Sequence, residues 1–396
     1  MTTNLFSANR ARLTNTLPTH PIILTGHSAI QSANDMSYPF VQDANFWWLT
    51  GIDEADWKLI LDGSKSYLVA PDIEEIHRIF DGGLSAAEAK AISGVDHVLS
   101  SAEGRVLIAT LAEKHDVVST LAADPNQKYY GFTLNPAVTS LQRALKKQFK
   151  TVVDCRLELA KLRAIKQPHE LLAMQRAIDL TNQTFSDVKA LLPIMQTEYE
   201  IEAEFTYRFR KHNAKHAYEP IVADGKNACT LHYVKNESDL QQNSLLLLDI
   251  GATVDGYAAD VTRTYAIGKP TDRQIAVHAA VESAQQQIIA LLRPGLSVIE
   301  YHEQVDVIMK AALDSIGLLK NDDDYRTYFP HAISHGLGVD VHDSLGRPTE
   351  FSPGMVLTVE PGIYIPAESI GVRIEDDILI TKDGHINLSG NLPTGL

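Results

Sequence analysis

Residues 245–268 read LLLLDIGATVDGYAADVTRTYAIG, an apolar β-pattern with carboxylates set inside it. Asp255-Gly256 lies between two β-runs and is a strong two-residue hairpin signal, because both central positions of a type I′ turn need positive φ. Such a turn pairs Val254 with Tyr257 and puts Asp260 opposite Gly251. Side chains alternate with period two, so Asp249 and Asp260 share a face as diagonal neighbours, about 7 Å apart at Cβ. Two carboxylates facing each other in a hydrophobic hairpin are costly unless a cation lies between them. The competing reading is a solvated Asp260 and an Asp249 that caps a turn.

A second strand pair repeats the pattern. MVLTVEPGIYI (355–365) brings Glu360 to the end of an apolar run, and VRIEDDILI (372–380) carries Glu375 inside another, with Arg373 on the same face. Arg373 neutralising Glu375 as a structural ion pair is the alternative to a ligand role. FPHAISHGLGVDVHD (329–343) adds His331, His335 and His342. A lone buried histidine is ordinarily a hydrogen-bonded core residue, and no Glu follows the first of these, so the stretch is not HExxH. Gly336 and Gly338 argue against a continuous helix there, and a strand or loop approach to a site is expected. Two Asp, two Glu and one His form an oxygen-rich donor set able to hold two divalent ions about 3.5–4 Å apart, a pair that activates water. The set favours Mn²⁺, Co²⁺ or Fe²⁺ over a thiolate-type zinc site, without excluding Zn²⁺.

The chain of 396 residues is long enough for two or three domains. Its net charge of −15 speaks against nucleic acid or anionic membrane as partner. No apolar run is long enough to span a bilayer, and no signal-peptide pattern opens the sequence. Two cysteines, Cys155 and Cys229, lack CxxC spacing and suit a reducing compartment, so a soluble cytoplasmic protein is expected. The first 150 residues alternate helices with short strands at 21–26, 58–63 and 66–71, and Ser85 with Glu88 forms a capping box. Beyond Cys155, Pro168 opens a helix carrying Leu171, Leu172, Met174 and Ile178, and Thr197/Glu200, Thr271/Gln274 and Ser297/Glu300 form further boxes. Strands are expected at 245–252, 257–267, 355–365 and 372–381. Helices and hairpins in one region give an α+β class, preceded by a smaller α/β domain, with the division at 1–154 and 155–396.

The order Asp249, Asp260, His335, Glu360, Glu375, in the contexts LDIGATVDGYAADVTRT, HAISHGLGVDVHD, TVEPGIY and VRIEDD, resembles the metallopeptidases that include methionine aminopeptidase, prolidase and aminopeptidase P. The resemblance implies a pita-bread fold over roughly residues 155–396, with those five residues as metal ligands and Asp260 and Glu375 bridging both ions. It further implies that Glu360 is the general base, that His232 in TLHY contacts the scissile amide, and that His331 and His342 hold the substrate. Tyr364 and Arg373 match supporting positions, with plain support of the sheet as the alternative. SYPFVQDANFWWLTGIDEADWKLIL (37–61) resembles the N-terminal domain of aminopeptidase P and related prolidases, which methionine aminopeptidases lack. Trp47 and Trp48 in it suit core packing, though in that family aromatic residues of this domain also wall a neighbouring subunit's site; a dimer or tetramer is implied.

These readings converge on a dinuclear, manganese-favouring Xaa-Pro aminopeptidase acting on peptides with proline at the second position. A strict Xaa-Pro dipeptidase is the alternative; it needs a cation for the free carboxylate, and Arg347 is the candidate, with a solvent-exposed turn arginine as the plainer reading. A non-catalytic pita-bread protein that binds a protein or RNA is a third reading, disfavoured by the intact ligand set and the negative charge.

Overall fold

The structure is a computed structural model that describes residues 4–17, 20–122, 131–321 and 323–396. It resolves into two compact units, Met1–Leu162 and Arg163–Leu396, and the helix Arg156–Ala164 carries the chain from one to the other.

Among the described residues, the first unit is built on a six-stranded mixed sheet in the order His97–Leu99, Lys65–Val69, Lys58–Asp62, Ile22–Thr25, Val117–Thr120, Thr151–Asp154. The three strands read from sequence lie at its centre. The Ser85/Glu88 box opens the helix Ala86–Ser93, which Gly94 ends in the left-handed conformation. Helices Ser101–Lys114 and Pro136–Leu145 cover the sheet and meet Ile23, Ile60 and Val118 in its core. Trp48 is fully buried and Trp47 stands edge-on to Phe6 at 5.6 Å, so both pack within their own unit.

In the second unit Pro168 begins the helix Pro168–Leu191. Met174 and Ile178 lie on its buried face with Ala173 and Ala177, Leu171 is half-buried, and Leu172 is 63% exposed, outside the stripe. The Thr197/Glu200 and Thr271/Gln274 boxes form at the helices Glu198–Lys211 and Asp272–Leu291. Ser297/Glu300 does not close: Ser297 accepts from the Glu300 N–H at 3.5 Å, but the Glu300 carboxylate instead takes Gln304 Nε2 at 2.9 Å.

The hairpin register is the one the Asp255-Gly256 turn demands. Both residues have positive φ, Val254 pairs with Tyr257, and the same register carries Asp249 opposite Thr262. The strands, however, are not continuous. Each of the four expected long strands is split: Ser244–Asp249 from Ala252–Val254, Tyr257–Ala258 from Thr262–Ile267, Val356–Val359 from Gly362–Ile365, and Ile370–Arg373 from Asp376–Ile380. The halves belong to different sheets. Asp249 closes its half-strand, and Asp260, Glu360 and Glu375 lie in the gaps. Gly251 permits the first break, because a Cβ there would lie 1.8 Å from the Ala259 carbonyl oxygen. Alternating pattern alone shows no such interruption, since the apolar residues on both sides stay buried. Helices Asp272–Leu291 and Val298–Ser315 pack against the second pair of broken strands, and Pro168–Leu191 and Glu198–Lys211 against the first. An isolated bridge between Thr262 and Glu375 joins the two pairs.

Candidate active site

The four strand breaks open onto one cavity of about 320 Å³, whose walls include Asp249, Asp260, His335, Glu360 and Glu375. Ligand-type atoms of Asp260, His335 and Glu375 lie within 4.8 Å of one another. His335 Nε2 is 3.4 Å from Asp260 Oδ2 and 3.4 Å from Glu360 Oε1, and its Nδ1 lies 3.1 Å from the Gly336 carbonyl oxygen. With Nδ1 donating to that carbonyl, Nε2 is the ring nitrogen that faces the carboxylates and would face a metal ion held among them. His335 stands in an irregular loop bridged to Asp343 and Leu357 through Gly336, as the two glycines led one to expect.

Hydroxyl groups orient the carboxylates. The Tyr218 hydroxyl lies 2.7 Å from Asp249 Oδ1 and 2.6 Å from Asp260 Oδ1, so one donor serves two acceptors on the same face. Thr262 donates to Glu375 Oε2 at 2.6 Å, and Thr358 to Glu360 Oε1 at 3.1 Å. Arg373 does not pair with Glu375, contrary to the alternative considered above. Its Nη2 donates to Asp249 Oδ2, its Nη1 to the Tyr364 hydroxyl at 2.8 Å and its Nε to Thr262 at 3.2 Å. The strand break after Arg373 abolishes the simple alternation that put Arg373 and Glu375 side by side.

Metallopeptidase family M24 matches residues 173–382, and the aminopeptidase P N-terminal domain matches residues 6–119. The Xaa-Pro aminopeptidase of Escherichia coli is 33% identical over 390 residues, covering 90% of this chain and 88% of that protein. This chain belongs to metallopeptidase family M24. Human Xaa-Pro aminopeptidase 3 is 31% identical over 94% of this chain and 78% of its own length. Among solved structures, aminopeptidase P from E. coli with the inhibitor Pro-Leu superposes with TM-score 0.85 at 30% identity, covering 100% of this chain and 96% of that one. Proline aminopeptidase P II from Yersinia pestis gives TM-score 0.84 at 32% identity, over 100% and 97% of the two chains. The pita-bread α+β fold and the N-terminal domain are those of this family.

Membership of M24 implies divalent metal ions, and the donor set fits them. Burial and mutual repulsion hold the Asp249 and Glu375 carboxyls above their ordinary range, Glu375 well above it. Glu360 is pushed up to about 7 by burial and by Asp260, against the pull of His335. Burial would lower the His335 pKa, but its hydrogen bond and charge contact with Asp260, with Glu360 beside it, raise it to about 9. Each of these four shifts favours a form with less net negative charge in the cavity. Among the described residues Arg373 is the one guanidinium lining it, so added cations relieve the repulsion.

The remaining M24 candidates divide. His331 Nε2 accepts from the Tyr364 hydroxyl at 2.9 Å, and burial, with Arg373 nearby, lowers its pKa to about 3. His342 stands edge-on to His335 with ring centroids 4.5 Å apart, and His232 lines the exposed side of the cavity. Tyr364 lies under Arg373, outside the cavity lining. Arg347 is exposed, has φ of 55° and does not line the cavity. Sequence reasoning missed Tyr218, Thr262, Thr358 and the buried Asp377, whose Oδ2 accepts from the Asp260 N–H at 3.2 Å. Asp377 had a signal, a second and third acid directly after Glu375 in an apolar run; Tyr218 had none.

Proposed function

We propose that this chain is an Xaa-Pro aminopeptidase that releases an N-terminal residue preceding proline, using two divalent ions held by Asp249, Asp260, His335, Glu360 and Glu375. The convergence of four carboxylates and His335 on one cavity, in a chain of this family, carries the reading. Mn²⁺ is the ion favoured by oxygen donors with one imidazole, and Asp260 and Glu375, whose ligand-type atoms lie close to that of His335, would be shared between the two ions. The free thiols Cys155 and Cys229 support a reducing, cytoplasmic setting.

Ions held by these residues would supply Lewis acidity to the scissile carbonyl and to a water molecule. Glu360 accepts the proton of the attacking water at its carboxylate, with Thr358 fixing Oε1. His331 is kept neutral by burial, and the Tyr364 hydroxyl fills its Nε2, so it serves as a fixed wall of hydrogen-bonding groups. His232 and His342, on the open side, hold the peptide as charge develops on the scissile amide. Proline has no N–H and a fixed φ, and the apolar walls Ile221, Leu231 and Val341 can take its ring.

The test is a length series, Xaa-Pro, Xaa-Pro-Yaa and Xaa-Pro-Yaa-Zaa, offered to stripped protein reloaded with Mn²⁺, Co²⁺ or Zn²⁺. Release of Xaa from the tri- and tetrapeptides is expected. Turnover confined to the dipeptide overturns the reading in favour of a dipeptidase, and none with any metal overturns both.

A further inference from the structure

We infer that Glu198 is a positioning residue for the loop that presents His232 to the peptide, an inference resting on the aminopeptidase reading of the cavity. Glu198 is the first residue of the helix Glu198–Lys211 and is fully buried. Its carboxylate accepts four hydrogen bonds: at Oε1 from the Asp224 N–H at 2.9 Å and Asn227 Nδ2 at 2.8 Å, and at Oε2 from the Tyr233 hydroxyl at 2.9 Å and the Ser238 N–H at 2.9 Å. Its own N–H donates to the Ser238 carbonyl at 3.0 Å.

All four donors belong to residues 224–238. This segment leaves the strand Ile221–Asp224, makes the 3₁₀ turn Gly225–Cys229, and then passes Leu231, His232 and Val234 along the cavity wall. Between that turn and Ser238 the described backbone forms no helix or strand, and His232 makes no hydrogen bond among the described residues. The ring's location therefore depends on what ties its neighbours down. Asp224 and Ser238 mark the two ends of the segment, and Asn227 and Tyr233 flank His232, so one carboxylate gathers the loop. Asn236 adds a second clamp, donating from Nδ2 to Glu202 at 2.8 Å and to the Pro220 carbonyl at 2.9 Å.

A carboxylate is needed because it is acceptor-only, with about four lone-pair sites. Glutamine keeps the volume but turns one side into a donor, and whichever way its NH₂ faces, it confronts a backbone N–H.

The experiment combines hydrogen exchange with a double-mutant cycle on the full chain. Glu198→Gln should speed amide exchange across 225–238 while leaving the strand Ser244–Asp249 protected and metal content unchanged. Its kcat/KM for Xaa-Pro-Yaa should fall about tenfold or more. In a His232→Ala background the same change should add no more than about twofold, because both act through one ring. Tyr233→Phe, which cuts one tie, should show the same pattern more weakly, and it decides the matter if Glu198→Gln loosens the whole unit. Unchanged exchange in 225–238, or losses that multiply fully in the double variant, overturns the inference. Wild-type protein inert towards every Xaa-Pro peptide sinks the aminopeptidase reading instead, while the exchange data still decide whether Glu198 holds the loop.

Discussion

Arg373 donates from Nη2 to Asp249 Oδ2 across the junction of the two broken hairpins, and from Nη1 to Tyr364, which reaches His331. One guanidinium thus orders a carboxylate of the proposed metal cluster and a histidine on the substrate side. Removing one partner of a buried ion pair costs roughly 3–5 kcal/mol, because the other charge stays buried. Arg373→Ala in metal-free protein should therefore unfold at distinctly lower urea concentration, with about that loss. Added Mn²⁺ should restore part of it by supplying positive charge. Arg373→Lys keeps a charge but loses the planar fork that reaches Tyr364 and Thr262, so activity should suffer more than stability. Urea titrations with and without metal, beside kcat/KM, check this; identical midpoints for wild type and Arg373→Ala refute it.

Asp260 and Glu360 should separate in their effects. Asp260 is the acceptor nearest Tyr218 and lies 3.4 Å from His335, and it is the proposed bridge between ions. Asp260→Asn should lose both metal and turnover. Glu360→Gln should keep more metal, since an amide oxygen still coordinates weakly, yet lose nearly all of kcat because it cannot accept a proton. Metal analysis after dialysis, run beside kinetics on both variants, distinguishes base from ligand. Equal metal loss in the two would leave Glu360 as a ligand alone.

His216 gives a pH signature away from the cluster. Its Nε2 lies 2.8 Å from the Thr206 hydroxyl, its Nδ1 is buried without a partner among the described residues, and burial lowers its pKa to about 4. The unfolded chain, with an ordinary pKa near 6.5, binds the proton first as pH falls. The contribution to stability is therefore complete above about pH 6.5 and is lost on acidification towards pH 4. The slope from this one group is at most about 1.4 kcal/mol per pH unit. His216→Gln should flatten the pH dependence of unfolding between those limits, measured in chelator so that metal release does not intrude. An unaltered slope would show that His216 is already charged in the folded protein.

The register of the first hairpin was legible because Asp255-Gly256 admits one turn type, and that register placed Asp249 and Asp260 within reach of one tyrosine. Helix starts were legible where a cap and its partner sit three residues apart, as at Ser85, Thr197 and Thr271. The breaks at the carboxylates were not, because apolar alternation continues through a change of sheet. Nor was the Arg373–Asp249 pair, which spans 124 positions and depends on how two hairpins meet. Tyr218 owes its place to the short strand Lys215–His216 pairing with Ala252–Val254, a contact that no local pattern announces.

Arg347 separates the two peptidase readings. A dipeptidase must hold the free carboxylate of proline, and a charge-assisted hydrogen bond to it is worth roughly 1.5–3 kcal/mol, about 10- to 100-fold in kcat/KM. Arg347 instead sits exposed at a left-handed turn beside Gly346, outside the cavity lining. The same loop is anchored at Asp343, which Arg163 and Lys166 grip at 3.0 and 3.4 Å. Those two cations and the guanidinium of Arg373 are already engaged with aspartates, which leaves none of them free for a substrate carboxylate. A peptide that continues past proline brings no carboxylate to that position and needs no such partner. Arg347→Ala should therefore change tripeptide kcat/KM by less than about twofold, well below the 10- to 100-fold that a carboxylate clamp supplies. A tenfold or greater loss confined to Xaa-Pro dipeptides, with longer peptides poor from the outset, would assign Arg347 the clamp and make the protein a dipeptidase.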